Sequence, residues 1–289
     1  MFSVVRGYNI LVIAIAQYLV SIFIFKPDQD LKTTLLDVHL FITVLATSIV
    51  VAAGYIINSF YDAELDRINR PIKSHIDNFV SQKTKLRSYF LLNTIGFLLG
   101  FMVSWRAALF FAGYIFLIWL YSHKLKKSAV KGLLFASVLT MIPFFVVFVY
   151  HKNISAVIFI HAVFLSCIII IRELIKDLEN IKGAFVCNYQ TVPVTYGEHL
   201  TKILISIFVL IALYPIYLLW EYPEIGLMKY YFYLTFVVLL FFSFFLWKAS
   251  SVKAYNFLHN VLKFLIVLGV FSMALIDTSV LIDKILKGL

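Results

Sequence analysis

Charge is scarce in this chain. Of its 289 residues only 14% are Asp, Glu, Lys or Arg, while 62% are hydrophobic. A soluble globular domain is about half apolar and about a quarter charged, so no water-soluble packing hides the 29 Phe and 17 Tyr found here. Cysteine is nearly absent as well. Cys167 lies in an apolar run and Cys187 in a polar loop, which leaves no basis for a disulfide framework or a Cys-based metal site. Pro/Gly-rich linkers, low-complexity tracts and soluble appendages are missing, so the expectation is a single transmembrane domain over residues 1–289. The first apolar stretch, Tyr8 to Phe25, follows Arg6 without a small-residue cleavage site, and reads as a retained helix.

What is present is long apolar segments. A spanning helix needs roughly 20 mostly apolar residues, and about nine candidates qualify: 8–25, 36–58, 88–104, 107–121, 132–150, 154–172, 201–219, 230–247 and 257–280. The fold class expected is therefore all-α, a polytopic membrane bundle. The third and fourth spans are separated only by Ser104–Trp105–Arg106, which predicts a tight hairpin.

Lys and Arg are unevenly spread. The loops after spans two, four, six and eight hold Arg67, Arg70, Lys73, Lys83, Lys85, Arg87, Lys124, Lys126, Lys127, Lys131, Arg172, Lys176, Lys182, Lys248 and Lys253. The opposite side has only Lys26, Lys32, Arg106, Lys152, Lys229, Lys284 and Lys287. By the positive-inside rule the N-terminus and the basic loops are cytoplasmic, in a cell (inner) membrane. In a chain this apolar, the formal charge of +10 points to anionic lipid and substrate phosphates, with no nucleic-acid partner. No protein partner is inferred.

Two acidic clusters fall on that same side. After span two, Asn58, Asp62 and Asp66 are spaced i, i+4, i+8, which stacks them on one helical face. Two carboxylates and an amide offer oxygen ligands to a hard cation, and Mg²⁺ is usually held by one or two carboxylates plus substrate phosphates. Pro71 is expected to end the helix, leaving Arg70 one turn beyond, where it can meet a phosphate oxygen. The plainer alternative, a solvated helix end of mixed charge, suits Glu64 and Arg67 but explains Asn58 poorly, because polar groups are costly at that depth. After span six, Glu173, Asp177, Asn180 and Ala184 share a face, while Arg172, Lys176 and Glu179 lie off it and can form structural ion pairs.

The stretch NSFYDAELDRINRP, with YSHKLKK after span four and RELIKDLENIKG followed by TVPVTYG after span six, resembles the UbiA superfamily of intramembrane prenyltransferases. The likeness is closest to the geranylgeranylglycerol-phosphate geranylgeranyltransferase branch. That resemblance implies Mg²⁺-dependent transfer of a polyprenyl group from an allylic diphosphate to a lipophilic acceptor, a prenylglycerol phosphate in the nearest branch. It implies Asn58, Asp62 and Asp66 as ligands of one ion and Asp177 with Asn180 for another, with Asp62, Asp66 and Asp177 as the catalytic acids. Arg70, Lys124 and Lys126 become candidates for diphosphate contacts, and Tyr121 (with Tyr55 and Tyr61 as weaker choices) for shielding an allylic cation from water.

The chain also departs from that pattern. The resemblance implies Asp at positions 180 and 184 and a Gly-Asn pair early in span five, where this sequence has Asn180, Ala184 and Gly132–Leu133. An altered second metal site served by Asp177, a weakened enzyme and a deliberate substitution at Ala184 all fit. An aromatic acceptor is the first alternative, and a non-catalytic prenyl-lipid-binding homologue the second. A secondary transporter is disfavoured because the acids sit at helix ends, away from the midplane. His39, His161 and His259 occur singly and are expected to be structural.

Overall fold

A computed structural model of the chain describes residues 5, 7–25, 29–77, 79–151, 156–276 and 282. Arg6, Lys26, Lys152, Lys284 and Lys287, together with the predicted span ends at 154–155 and 277–280, lie outside the described residues. The helices are α1 (Gly7–Val20, continued by a π-helical turn, Ser21–Phe25), α2 (Leu31–Leu35), α3 (Val38–Tyr61), α4 (Ala63–Asn69), α5 (Pro71–Asp77), α6 (Gln82–Val103) and α7 (Trp105–His123). They are followed by α8 (Ala129–His151), α9 (Ala156–Glu179), α10 (Ile181–Val186), α11 (Val192–Glu221), α12 (Lys229–Lys248) and α13 (Val252–Ser272), with 3₁₀ turns at Leu125–Lys127, Pro223–Met228 and Met273–Leu275.

Among the described residues nine helices are long and apolar enough to cross a membrane. These are the nine predicted spans, and the protein is an integral membrane protein of all-α architecture. Local chemistry sets their starts. Asp37 Oδ1 accepts from the amides of His39 and Leu40 ahead of α3, and Ser81 Oγ accepts from Thr84 N ahead of α6. Ser104 alone makes the α6–α7 hairpin. Its amide bonds back to Gly100 O, and its hydroxyl accepts from Ala107 N, so one residue serves a carbonyl at the end of α6 and an amide at the start of α7.

The chain divides into two compact units. The first comprises Met1–Tyr18, Leu35–His151 and Lys182–Gln190, the second Leu19–Thr34, Lys152–Ile181 and Thr191–Leu289.

In the first unit α3 packs along α6 and also meets α7 and α8. Pro143 interrupts α8; lacking an N–H, it deprives the Leu139 carbonyl of its helical donor. Tyr114 on α7 supplies one, its hydroxyl donating to Leu139 O at 3.2 Å, and Gln17 Nε2 donates to Pro143 O at 2.6 Å. Within a bilayer, where no water substitutes, the Tyr114 hydroxyl is what satisfies the carbonyl that Pro143 leaves without a donor.

In the second unit α9 packs on α11 and α13, and α12 lies against the same two helices. Its core is aromatic, with Phe164, Tyr231 and Phe232 in edge-to-face contact. Gly197, at φ 86°, breaks α11 after its first turn, a conformation that glycine adopts without steric cost. Just beyond the break, Lys202 pairs with Glu198 at 2.8 Å and donates to Ala249 O at 2.6 Å, fastening α11 to the end of α12.

Candidate metal–diphosphate site

The first acidic stripe grows out of α3. The helix ends at Tyr61, and Asp62 sits at φ −90°, ψ 5° before α4 begins. The bend does not break the ladder: Asp62 N bonds to Asn58 O at 2.9 Å and Asp66 N to Asp62 O at 2.8 Å. Asn58, Asp62 and Asp66 therefore keep the one-turn spacing expected of a continuous face. As predicted, α4 stops before the proline, and Pro71 opens α5 as its first residue, where its missing N–H costs nothing.

Lys126 closes this site. Its ammonium donates to Asn58 Oδ1 at 2.8 Å and to Asp62 Oδ2 in a close ion pair. The lysine sits in the 3₁₀ turn Leu125–Lys127 between α7 and α8, and two features hold that turn in place. Gln190 N donates to Lys127 O at 2.9 Å. Gly132, in the first turn of α8, lies so near that a Cβ there would stand 3.1 Å from Lys126 O and 3.2 Å from Leu125 O. The opposing atoms are backbone and cannot swing aside. Gly132→Val is accordingly expected to push the turn outward and weaken binding of a prenyl diphosphate analogue about tenfold, with about 1–3 kcal/mol of overpacking strain. Calorimetric titration and thermal unfolding in detergent check both numbers.

Asp62 is only 6% exposed, and its second oxygen, Oδ1, is buried without a hydrogen-bond partner among the described residues. A buried carboxylate oxygen left unmet is costly, and a cation sharing Asp62 with Lys126 would satisfy it. The donor set fits Mg²⁺ in the manner that ion prefers, a few protein oxygens completed by phosphate. No group of three or more His, Cys, Asp or Glu side chains placed to hold a metal ion occurs among the described residues.

The other predicted residues fall unequally. Asp66 Oδ2 lies 3.6 Å from Lys73 Nζ, which also reaches Asp77 Oδ2 at 3.5 Å. Arg70 links α4 to α5, half-buried, its amide bonded to Asp66 O. Lys124 follows α7 and is exposed, and Tyr121 is half-buried in the last turn of α7. The Tyr55 hydroxyl accepts from Asn9 Nδ2 at 3.0 Å, while Tyr61 lies 5.4 Å from the ring of His123, itself stacked on Trp119.

Two neighbours escaped the sequence reading. Lys73 was counted only as a loop charge, because helix periodicity does not carry across the Arg70–Pro71 break. Tyr189, in an aperiodic loop, is buried with Lys127 Nζ 5.5 Å from its ring centre. Burial, and then the nearness of Asp62, pushes its hydroxyl well above the ordinary phenol range, so it stays a neutral donor. The Cys187 thiol is also pushed up, by burial first and then by Glu64 and Asp62, which keeps it protonated and unreactive.

Of the second stripe, Glu173, Asp177 and Asn180 belong to the second unit and Ala184 to the first. Glu173 is buried and paired with Lys176 at 2.6 Å and Arg172 at 3.6 Å. Asn180 Nδ2 donates to Lys176 O at 2.7 Å, tying its amide nitrogen to the helix end. Asp177 is half-buried. Glu179, read as lying off the stripe, is buried and accepts from Asn256 Nδ2 at 3.2 Å, with His259 Nδ1 3.6 Å away. Ala184 on α10 is buried at 2% exposure and contributes only its carbonyl, to Tyr189 N at 2.8 Å.

Comparison with known proteins places the fold. A profile of the UbiA prenyltransferase family matches residues 15–265. The digeranylgeranylglyceryl phosphate synthase of Thermococcus sibiricus is 30% identical over 229 residues, 77% of this chain and 79% of that protein. Its counterpart in Pyrococcus horikoshii is 30% identical over 159 residues, covering 54% of this chain and only 56% of the relative's length. A solved structure described as giving insight into digeranylgeranylglyceryl phosphate synthase in membranes superposes with a TM-score of 0.70 at 19% identity, over 94% of this chain and 95% of that one. A UbiA homologue from Archaeoglobus fulgidus, solved bound to GPP and Mg²⁺, superposes at 0.65 and 15% identity over 94% and 98%. These likenesses speak for the fold, and the profile match over most of the sequence for the lineage: the chain belongs to the UbiA prenyltransferase family.

Proposed function

We propose that this protein, acting as one transmembrane domain, transfers a polyprenyl group from an allylic diphosphate to a lipophilic acceptor, a prenylglycerol phosphate, in a Mg²⁺-dependent reaction. The observation that carries the reading is the clasp of Asn58, Asp62 and Lys126, with the buried Asp62 Oδ1 left for a cation. Mg²⁺, when bound, neutralises charge gathering on the departing diphosphate. Asn58, Asp62 and Asp66 would supply its oxygen ligands, and Asp177 with Asn180 those of a second ion. Lys126 is suited to a phosphate oxygen because its ammonium is already fixed at the seat. Arg70 and Lys124 are further candidates for the diphosphate. Tyr121 is the candidate for an aromatic face against the allylic cation, which the apolar surroundings keep from water. The basic loops favour an inward-facing, cytoplasmic site in the cell membrane.

The test is direct. Purified protein in detergent, given labelled geranylgeranyl diphosphate, Mg²⁺ and a panel of prenylglycerol phosphate and aromatic acceptors, is expected to form a prenylated product that EDTA abolishes. Product only with an aromatic acceptor would redirect the acceptor assignment. Diphosphate binding without turnover on any acceptor would make the chain a prenyl-lipid-binding homologue, the reading that Ala184 favours.

A further inference from the structure

Asn69 is the last residue of α4, the helix that carries Asp66. Its side-chain oxygen accepts from Gly183 N at 3.0 Å. Gly183 lies in the first turn of α10, where a helix leaves its amides without intrahelical partners. An asparagine far away in sequence therefore does what a local capping residue usually does. The approach demands glycine. A Cβ at position 183 would stand 2.6 Å from both Cγ and Oδ1 of Asn69. Those atoms belong to a side chain and can swing aside, but the hydrogen bond leaves with them.

The far end of the same segment is fixed as well. Asn188 N bonds to Phe185 O at 3.2 Å and Tyr189 N to Ala184 O at 2.8 Å, the two bonds of a Schellman turn closing α10. Asn188 takes the left-handed position at φ 57°, which asparagine tolerates. The turn buries Tyr189, with Lys127 Nζ 5.5 Å from its ring centre. It also delivers Gln190 N to Lys127 O at 2.9 Å, where Ser128 and Gln190 form a parallel bridge. Lys127 follows Lys126, whose ammonium closes the site. Little apolar area holds α10, since only Gly183 and Ala184 of its six residues are buried. Residues 183–190 thus meet the helix of Asp66 at one end and the turn of Lys126 at the other, all within the first unit.

We propose that residues 183–190 form a strap that sets the spacing between Asp66 on α4 and the ammonium of Lys126, with Asn69 as the positioning residue at its α4 end. The proposal rests on the reading that the stripe and the ammonium together serve a cation and a diphosphate. Asn69 is not a catalytic residue: it acts through the backbone of the strap. Ala184, whose side chain offers no ligand, serves the strap through its carbonyl.

The test uses the full chain in detergent with Asn69→Leu, Asn69→Asp, Gly183→Ala, Asn69→Ala and the double variant of the last two. In the substrate-free protein, hydrogen–deuterium exchange over residues 183–190 is expected to accelerate about tenfold in Asn69→Leu and in Gly183→Ala, while the spanning helices exchange as before. Exchange over residues 124–128, at the strap's far end, is expected to rise about threefold in the same variants. Asn69→Asp keeps an oxygen acceptor and is expected to exchange like wild type over both segments. Gly183→Ala is expected to add nothing once Asn69→Ala has removed the side chain that it displaces. With geranylgeranyl thiolodiphosphate present, Mn²⁺ titration followed by electron paramagnetic resonance is expected to show about tenfold weaker binding in Asn69→Leu, with the number of ions at saturation unchanged. Unchanged exchange over 124–128 in Asn69→Leu and Gly183→Ala overturns the strap. So does a Gly183→Ala effect that persists in full when residue 69 is alanine. Wild-type Mn²⁺ affinity in a variant whose strap exchanges faster overturns the positioning role. Gly183→Ala leaves every polar group in place and decides the matter if Asn69→Leu does not fold. If wild-type protein binds neither Mn²⁺ nor the thiolodiphosphate, the functional reading fails, and exchange over the two segments still decides whether the strap links α4 to the Lys126 turn.

Discussion

Asp62→Ala is expected to lower prenyl transfer by about 10²–10³-fold, the usual cost of deleting a preorganised electrostatic group. Three features concentrate that loss on one side chain. Asp62 is the member of the stripe that is 6% exposed, the one paired with Lys126 and the one with an unmet oxygen. Water does not replace a ligand in so enclosed a place. The alanine variant also strands Lys126, which keeps Asn58 Oδ1 as an acceptor and has a stem long enough to carry its ammonium outward. Asp62→Asn separates the two effects. It keeps the shape and an oxygen acceptor while removing the charge, so it should lose less stability than alanine and lose rate almost as severely. Initial rates with geranylgeranyl diphosphate at saturating Mg²⁺, paired with thermal unfolding, measure both. An asparagine variant as active as wild type would remove Asp62 from the site.

Lys126→Met is expected to change stability in a way that depends on the metal. Deleting one partner of a buried ion pair leaves the other charge uncompensated and costs about 3–5 kcal/mol. The Asp62 side chain is 8% exposed and Lys126 14%, near enough to that limit for about half of it to survive solvent screening. In EDTA the methionine variant should therefore melt well below wild type. Added Mg²⁺ binds the folded state and should recover much of the difference by mass action, whereas wild type, with its own ammonium in the seat, should respond far less. Turnover falls too, because the fixed charge facing the diphosphate is gone. Melting curves with and without Mg²⁺ decide the matter. A Lys126→Met protein whose melting ignores Mg²⁺ would mean that Lys126 and the ion do not share Asp62.

The spanning helices were legible because the bilayer imposes a length and a polarity that no neighbouring helix can override. The differences lie at their ends. The sequence places the start of the third span at 88, yet α6 begins at Gln82, because Lys83, Lys85 and Arg87 lower the local apolarity without lowering helix propensity. The start expected at 201 falls just past the break at Gly197, and the short helical stretch before it opens at Val192 with Pro193 in its first turn. At the site, Asn58 and Asp62 stand out by spacing on one helix, and Lys126 through the resemblance carried by YSHKLKK. What no periodicity reveals is pairing across a break. Lys73 meets Asp66 past Pro71, and Lys85 meets Ser59 from another helix. Glu173 illustrates the converse: its i+3 partner Lys176 is visible in the sequence, but only packing shows the carboxylate buried and paired with both Lys176 and Arg172.

Central to the functional reading is a divalent cation held by the Asn58–Asp62–Asp66 stripe together with a substrate diphosphate. Mn²⁺ titration of the purified protein by electron paramagnetic resonance, with and without geranylgeranyl thiolodiphosphate, tests this most directly. Tight Mn²⁺ binding that requires the diphosphate and disappears in Asp62→Asn is the predicted result. Mn²⁺ binding of equal strength in wild type and Asp62→Asn would contradict it.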